Sequence, residues 1–208
     1  MPTTELIVNK AVTYNSRVPS PLLLAFLQDV LRWNPQLGLV SRRDPLDACD
    51  RLVMESLELL TLVRSHGVEP QTQCLDVGSG AGFPGIVWAL AEPEWRFLLV
   101  ERKAGRAAFL QSAVARLSLR HVEVFAGPVN EVAHHPRFVG AFTIAVTMAV
   151  GVPAEIGPQL EPLLSTGGRF YGTTPAGTAL PPRVGKSLDL KGDTAGDYGN
   201  YAMYVSNG

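Results

Sequence analysis

Leu75-Asp76-Val77-Gly78-Ser79-Gly80-Ala81-Gly82-Phe83-Pro84-Gly85 is the stretch on which the reading of this chain turns. A short apolar run leads into a glycine-rich turn, and a helical pattern resumes at about residue 85. Gly78 and Gly80 remove Cβ atoms where the backbone must bend sharply and approach a ligand. A dinucleotide fingerprint requires Gly-x-Gly-x-x-Gly, but its last position holds Phe83, so that spacing fails. The alternative is a tight strand-to-helix turn with no ligand.

Outward from this turn, short apolar runs alternate with helical stretches. Strand-like runs lie at 73–77, 96–101, 121–125, 142–147 and 168–172, with helical candidates at 85–92, 104–117 and 154–164. Such alternation predicts an α/β fold with a parallel sheet covered on both faces. The tail from Gly172 to Gly199, dense in Gly, Pro and Thr, reads as a long loop with at most one strand, and Tyr201–Ser206 as the final strand. Upstream, residues 1–20 read as a short strand or extended arm. Leu22, Leu23, Phe26, Leu27, Val30 and Leu31 predict a helix running to about Trp33 and stopped by Pro35. A second helix starts at Pro45 behind Asp44 as N-cap and closes at Gly67 and Pro70. The expected organisation is an arm and helical extension over 1–68 and a Rossmann-like domain over 69–208, forming one structural unit.

The second strand ends at Val100-Glu101, 25 residues after Asp76. A carboxylate at that place can accept both ribose hydroxyls, which separates a nucleoside ligand from a bare anion. An acid, then Gly-x-Gly-x-Gly, then an acid closing the second strand looks like motif I and its partner in S-adenosylmethionine methyltransferases. That cofactor has no pyrophosphate and presents an amino-acid end and a ribose to the turn. Asp76, Gly78, Ser79, Gly80 and Glu101 are therefore candidate cofactor residues.

Composition narrows the classes. The chain has 208 residues, 46% of them hydrophobic, enough to bury one sizeable core. No apolar run is long enough to span a bilayer, and the start lacks the features of a secretory signal. Cys49 and Cys74 stand far apart, and neither a disulfide framework nor a zinc site is suggested. The expectation is a cytoplasmic protein, monomeric, with no metal and no membrane partner. The net charge of −1 counts against a broad nucleic-acid surface, although a local patch would suffice.

Specific words extend the match. Gly78–Gly85, read as GSGAGFPG, is followed by Leu99-Val100-Glu101 and by Arg106-x-x-Phe109-Leu110. Upstream stand Leu31-Arg32-Trp33-Asn34 and Arg51-Leu52-Val53-Met54-Glu55-Ser56-Leu57. In this order, over roughly residues 30–135, they resemble the RsmG (GidB) family of bacterial 16S rRNA guanine-N7 methyltransferases. The resemblance implies a Rossmann-like, seven-stranded S-adenosylmethionine methyltransferase fold with an N-terminal helical extension, and 16S rRNA or the 30S subunit as partner. It further implies cofactor contacts at Gly78 and Phe83, and adenine recognition at Val129 and Asn130. Departures gather on the rim: Met148 stands where the family has Arg, Tyr171-Gly172-Thr173 where it has Leu-Lys-Gly, Leu52 where it has His, and Pro128 where it has Arg. Two other readings stay open, a methyltransferase with another RNA or small-molecule acceptor, and a cofactor-binding protein without turnover.

No general base is identified, and a guanine N7 acceptor needs none, because its lone pair is already free. Arg42, Arg43, Arg51, Lys103 and Arg106 are candidate RNA-binding cations, although a charged helix face exposed to solvent has the same pattern. His134 and His135 have no third ligand at metal spacing. Trp33, Trp88 and Trp95 read as core or rim packing ahead of base-stacking platforms.

Overall fold

A computed structural model describes residues 2–148, 153–174, 180 and 182–207. Three helices come first: α1 (Thr4–Tyr14), α2 (Ser20–Leu37) and α3 (Pro45–Ser65). Then follow β1 (Gln73–Val77), α4 (Gly85–Ala91), β2 (Arg96–Glu101), α5 (Ala104–Arg116), β3 (Val122–Ala126), α6 (Val129–Ala133) and β4 (Phe142–Thr147). The chain continues through α7 (Pro153–Leu160), a 3-10 turn at Glu161–Leu163, β5 (Leu164–Thr174), β6 (Arg183–Val184), β7 (Leu188–Ala195) and β8 (Asn200–Ser206).

All strands join one sheet in the order β3-β2-β1-β4-β5-β8-β7-β6. β1 to β5 run parallel, while β8 is antiparallel to both β5 and β7. This is the Rossmann-like methyltransferase architecture, with the two-residue β6 as an eighth, edge strand beyond the seven expected. Alternation along the strands feeds two cores. Cys74, Phe97, Leu99 and Ile144 face α1–α5, whereas Leu75, Val77, Leu98 and Ala145 face α6 and α7. Chain order reverses between β1 and β4, and in such sheets the crevice beyond the strands' carboxyl ends takes the ligand.

The N-terminal segment is not an extended arm. Ile7, Val8 and Ala11 are buried on one face of α1, and the Thr3 side chain caps it by accepting from the Leu6 N–H at 3.3 Å. Pro2 precedes the cap and breaks nothing. Pro35 does not stop α2, which runs on to Leu37. Only one helical hydrogen bond is lost there, and Asn34 rewards the extra turn: its carbonyl accepts from Gly38 at 2.9 Å and its side chain from Val40 at 2.9 Å. Gly38, at φ 58°, ends the helix.

The tail differs too. β5 starts at Leu164, so the helix expected over 154–164 ends at Leu160. The expected loop of 172–199 holds β7, eight residues long, as well as β6; residues 175–179 and 181 of that tail lie outside the described residues. β7 alternates only at Leu188 and Leu190 and is otherwise polar, a weak strand signal that pairing with β8 overrides. Among the described residues, no helix is long and apolar enough to cross a membrane.

Candidate cofactor site

At the carboxyl end of β1 the backbone leaves the sheet through Gly78 (φ 75°) and Gly80 (φ 54°), a region that disfavours side chains. The Gly78 and Ser79 N–H groups donate to Val100 O at 2.9 and 3.1 Å, which ties the turn to the end of β2. A Cβ on Gly80 would meet little, with Gly78 O at 3.6 Å and an Arg106 terminal nitrogen at 3.9 Å. At Gly80 the space above the backbone is open up to the Arg106 head group, whereas Gly82 of the same turn is packed against Ile86 and Phe26.

Glu101 faces this turn. One carboxylate oxygen accepts from the Gly80 N–H at 3.0 Å and the other from the Lys103 N–H at 2.7 Å. A carboxylate has about four lone-pair directions, so acceptor capacity remains on both oxygens. The carboxylate is buried, and these charge-assisted bonds hold its orientation. Gly127, just after β3, donates its N–H to Glu101 O at 3.0 Å, bringing the third strand's turn alongside.

Asp76 lies beneath the turn, fully buried. One oxygen, Oδ2, accepts from the Gly85 N–H at 3.1 Å, while Oδ1 has no hydrogen-bond partner. Burial lifts its pKa to about 7, against the lowering effect of the adjacent Ser79 hydroxyl and of the Gly85 N–H, and the nearby charge of Glu101 adds to the rise. An unpaired buried carboxylate oxygen below an open turn suits a cationic amino-acid end above it. The residues present therefore fit S-adenosylmethionine: an open glycine turn, an acceptor with spare capacity for a ribose, and a second acid for the ammonium side.

The other candidates fall into distinct places. Ser79 is buried, its hydroxyl donating to Asp76 O at 3.0 Å. Phe83 points into the core against Phe26, with ring centroids 5.3 Å apart. Val129 and Asn130 form the first turn of α6, a five-residue helix; Val129 is buried and Asn130 exposed. Met148 is buried, its sulfur 3.7 Å from the Ser56 hydroxyl. Ser56 in turn accepts from the Trp88 indole N–H through its backbone carbonyl at 2.7 Å, which pins α3 to α4.

The five cations separate. Arg51, exposed on α3, pairs with Glu55 one turn along at 2.9 Å, and the part-buried Arg106 donates to Gly38 O. Arg42 donates to Pro35 O at 3.3 Å, while Arg43 and Lys103 are exposed near the same end. Sequence reasoning missed the Arg106–Gly38 bond, which fastens the end of α2 over the glycine turn. Its only prior signal was Gly38 itself, a helix-ending glycine. Among the described residues, no cluster of three or more His, Cys, Asp or Glu is placed to hold a metal ion.

Comparisons with known proteins bear on the family and the fold. A family model, GidB: rRNA small subunit methyltransferase G, matches residues 20–174. The ribosomal RNA small subunit methyltransferase G of Nitrosomonas europaea is 41% identical over 110 residues, 53% of this chain and 49% of that protein. Its Coxiella burnetii counterpart is 33% identical over 148 residues, 71% of this chain and 68% of that protein. The match thus spans about half the length of relatives such as the first. Among solved structures, a mutant of MtNAS in complex with S-adenosylmethionine aligns at a TM-score of 0.64 and 14% identity, covering 98% of this chain and 77% of that one. A SAM dependent methyltransferase from Aquifex aeolicus aligns at 0.53 and 12% identity, covering 74% and 97%.

Proposed function

Because the chain belongs to the GidB family, rRNA small subunit methyltransferase G, we propose that it transfers a methyl group from S-adenosylmethionine to N7 of a guanine in 16S rRNA. It acts in the cytoplasm, as a monomer, on the 30S subunit or its RNA. The observation that carries the cofactor half is the Glu101 carboxylate turned into the open glycine bend and bonded to Gly80 N–H at 3.0 Å.

Bound there, S-adenosylmethionine supplies an electrophilic methyl on a sulfonium. Glu101 would accept from the ribose hydroxyls, the turn from Gly78 to Gly80 would seat the amino-acid end, and Asp76 would face the ammonium side from below. Val129 and Asn130 would hold the adenine. The acceptor nitrogen needs no proton removed, so the protein's work is positioning and exclusion of water. The cofactor would supply the methyl cation equivalent to the N7 lone pair and keep the sulfur–carbon electrons as a neutral thioether.

A second reading, a different acceptor, draws on Met148. Its buried side chain offers no cation to RNA at the end of β4. One experiment serves both. Calorimetric titration with S-adenosylmethionine tests the cofactor, and methyl-labelled cofactor with 30S subunits or protein-free 16S rRNA tests the acceptor. No binding at millimolar cofactor removes both readings. Binding without transfer to either RNA removes the first.

A further inference from the structure

The three tryptophans differ in environment. Trp88 and Trp95 are buried in the core, whereas Trp33 is 42% exposed. It stands on α2 with the Arg32 guanidinium 5.8 Å from its ring centroid. Arg42 folds back over the end of the same helix, donating to Pro35 O at 3.3 Å. Neither guanidinium has a carboxylate partner among the described residues.

This indole is held on a rigid element close to the cofactor turn. Asp29, one helical turn before Trp33, pairs with Arg116 of α5 at 2.7 Å. Leu37, one turn after it, packs at the start of α5, 3.1 Å from where a Gly105 Cβ would stand. Positions 29, 33 and 37 therefore form one stripe along α5. Gly38, roughly 8 Å further along the axis at 1.5 Å per residue, is bonded by Arg106, whose other terminal nitrogen approaches Gly80. Among the described residues, the other exposed large apolar side chains, Leu6, Tyr14 and Val139, belong to α1 and the segment before β4. The patch at Trp33 is thus one aromatic face with two cations, not a broad apolar surface.

That combination fits single-stranded RNA. A flat π-face accepts any base, and planar guanidiniums meet phosphates on either side. We propose that Trp33 is a stacking platform for an unpaired base of the RNA substrate near the methylated guanine, with Arg32 and Arg42 on the flanking phosphates. This rests on the rRNA reading above.

The experiment uses the full chain and protein-free 16S rRNA. Because Trp88 and Trp95 are buried, Trp33 dominates quenching by acrylamide, and saturating RNA shields it and shifts the intrinsic fluorescence. In filter binding, Trp33→Ala weakens RNA affinity between about five-fold and a hundred-fold, Trp33→Tyr restores most of it, and calorimetric affinity for S-adenosylmethionine is unchanged in both. Far-UV circular dichroism of the exposed-site variants stays native. RNA affinity unchanged in Trp33→Ala, or acrylamide access undiminished at RNA saturation, overturns the stacking role while leaving the rRNA reading intact. Wild-type protein that binds cofactor but no RNA overturns both. Fluorescence changes that track protein concentration without RNA also overturn it, by assigning the face to a second copy of the chain.

Discussion

Replacing Glu101 with Gln keeps size and shape but changes what the side chain can accept. In the structure both carboxylate oxygens are engaged, one by Gly80 N–H at 3.0 Å and one by Lys103 N–H at 2.7 Å. An amide has a single acceptor oxygen, so one of these donors must face an NH2 group. One charge-assisted bond, about 1.5–3 kcal/mol, disappears, and the other becomes neutral, about 0.5–1.5 kcal/mol. Relief of a buried charge offsets part of this, for a net loss of about 2–3 kcal/mol. For a chain of this size that corresponds to roughly 4–12 °C in melting temperature. The cofactor effect is separate: with half the acceptor capacity facing the ribose, S-adenosylmethionine affinity falls about ten- to hundred-fold in calorimetry. A third readout follows from Asp76, whose pKa Glu101 helps to raise. In Glu101→Gln the Asp76 titration moves downward. A variant that melts with wild-type behaviour and binds cofactor within two-fold of wild type would refute the claim that this carboxylate organises the site.

Gly80→Val places a β-branched side chain at φ 54°, in space open to the cofactor; cofactor binding is lost in calorimetry while the helical circular dichroism persists. Gly85→Ala is a packing test, since its Cβ would collide with Leu99 Cδ2 and lie 2.5 Å from Asp76 Oδ2. The N-terminus of α4 must move away from β1 and the Asp76–Gly85 bond opens, so urea denaturation shows a loss of about 2–4 kcal/mol. Asp76 sets a pH dependence: its folded pKa is raised by burial from 3.8 to about 7, so the native state holds a proton the unfolded chain has released. That stability is present below the unfolded value and lost as pH rises through about 7. Buried Glu55 and Glu92 are raised in the same direction. The test is therefore the difference in melting temperature between wild type and Asp76→Asn, which widens in favour of Asn between about pH 5 and 8.

Much of the α/β frame was legible because its signals are local. β1 and β4 match the expected 73–77 and 142–147, since parallel strands buried on both faces read as continuous apolar runs. Asp44 caps α3 as expected, its side chain accepting from Asp47 N–H at 3.0 Å. The misses share one cause, that tertiary partners decide what a weak local signal becomes. Residues 4–14 are ambiguous alone and become helical because Ile7, Val8 and Ala11 meet α2 and α3. Pro35 is tolerated because Asn34 binds Val40 across the helix end. The polar β7 exists because β8 supplies its hydrogen bonds, and because Glu58, far away on α3, accepts the N–H groups of Asp197 and Tyr198 at 2.7 and 3.2 Å where the two strands join.

The candidate site divides along the same line. A glycine turn advertises itself, since the residue type is the backbone requirement. An acid at a strand end does so only when placed after that turn, and the alternation that sends Asp76 and Glu101 to their places is a period of two that any reader can count. Arginines carry no such constraint: four rotatable bonds and five donors let the head group find partners the sequence does not name. Arg51 and Arg106 looked like RNA-facing cations, yet one meets Glu55 and the other a helix-end carbonyl. The first is a pair within α3 itself, whereas the second ties the end of α2 to the helix that follows the glycine bend. If the bend is positioned from above by Arg106 and from within by Glu101, removing either should loosen the same turn. Glu101→Gln combined with Arg106→Met should then fall short of additive in cofactor affinity, whereas two independent anchors would give a full sum.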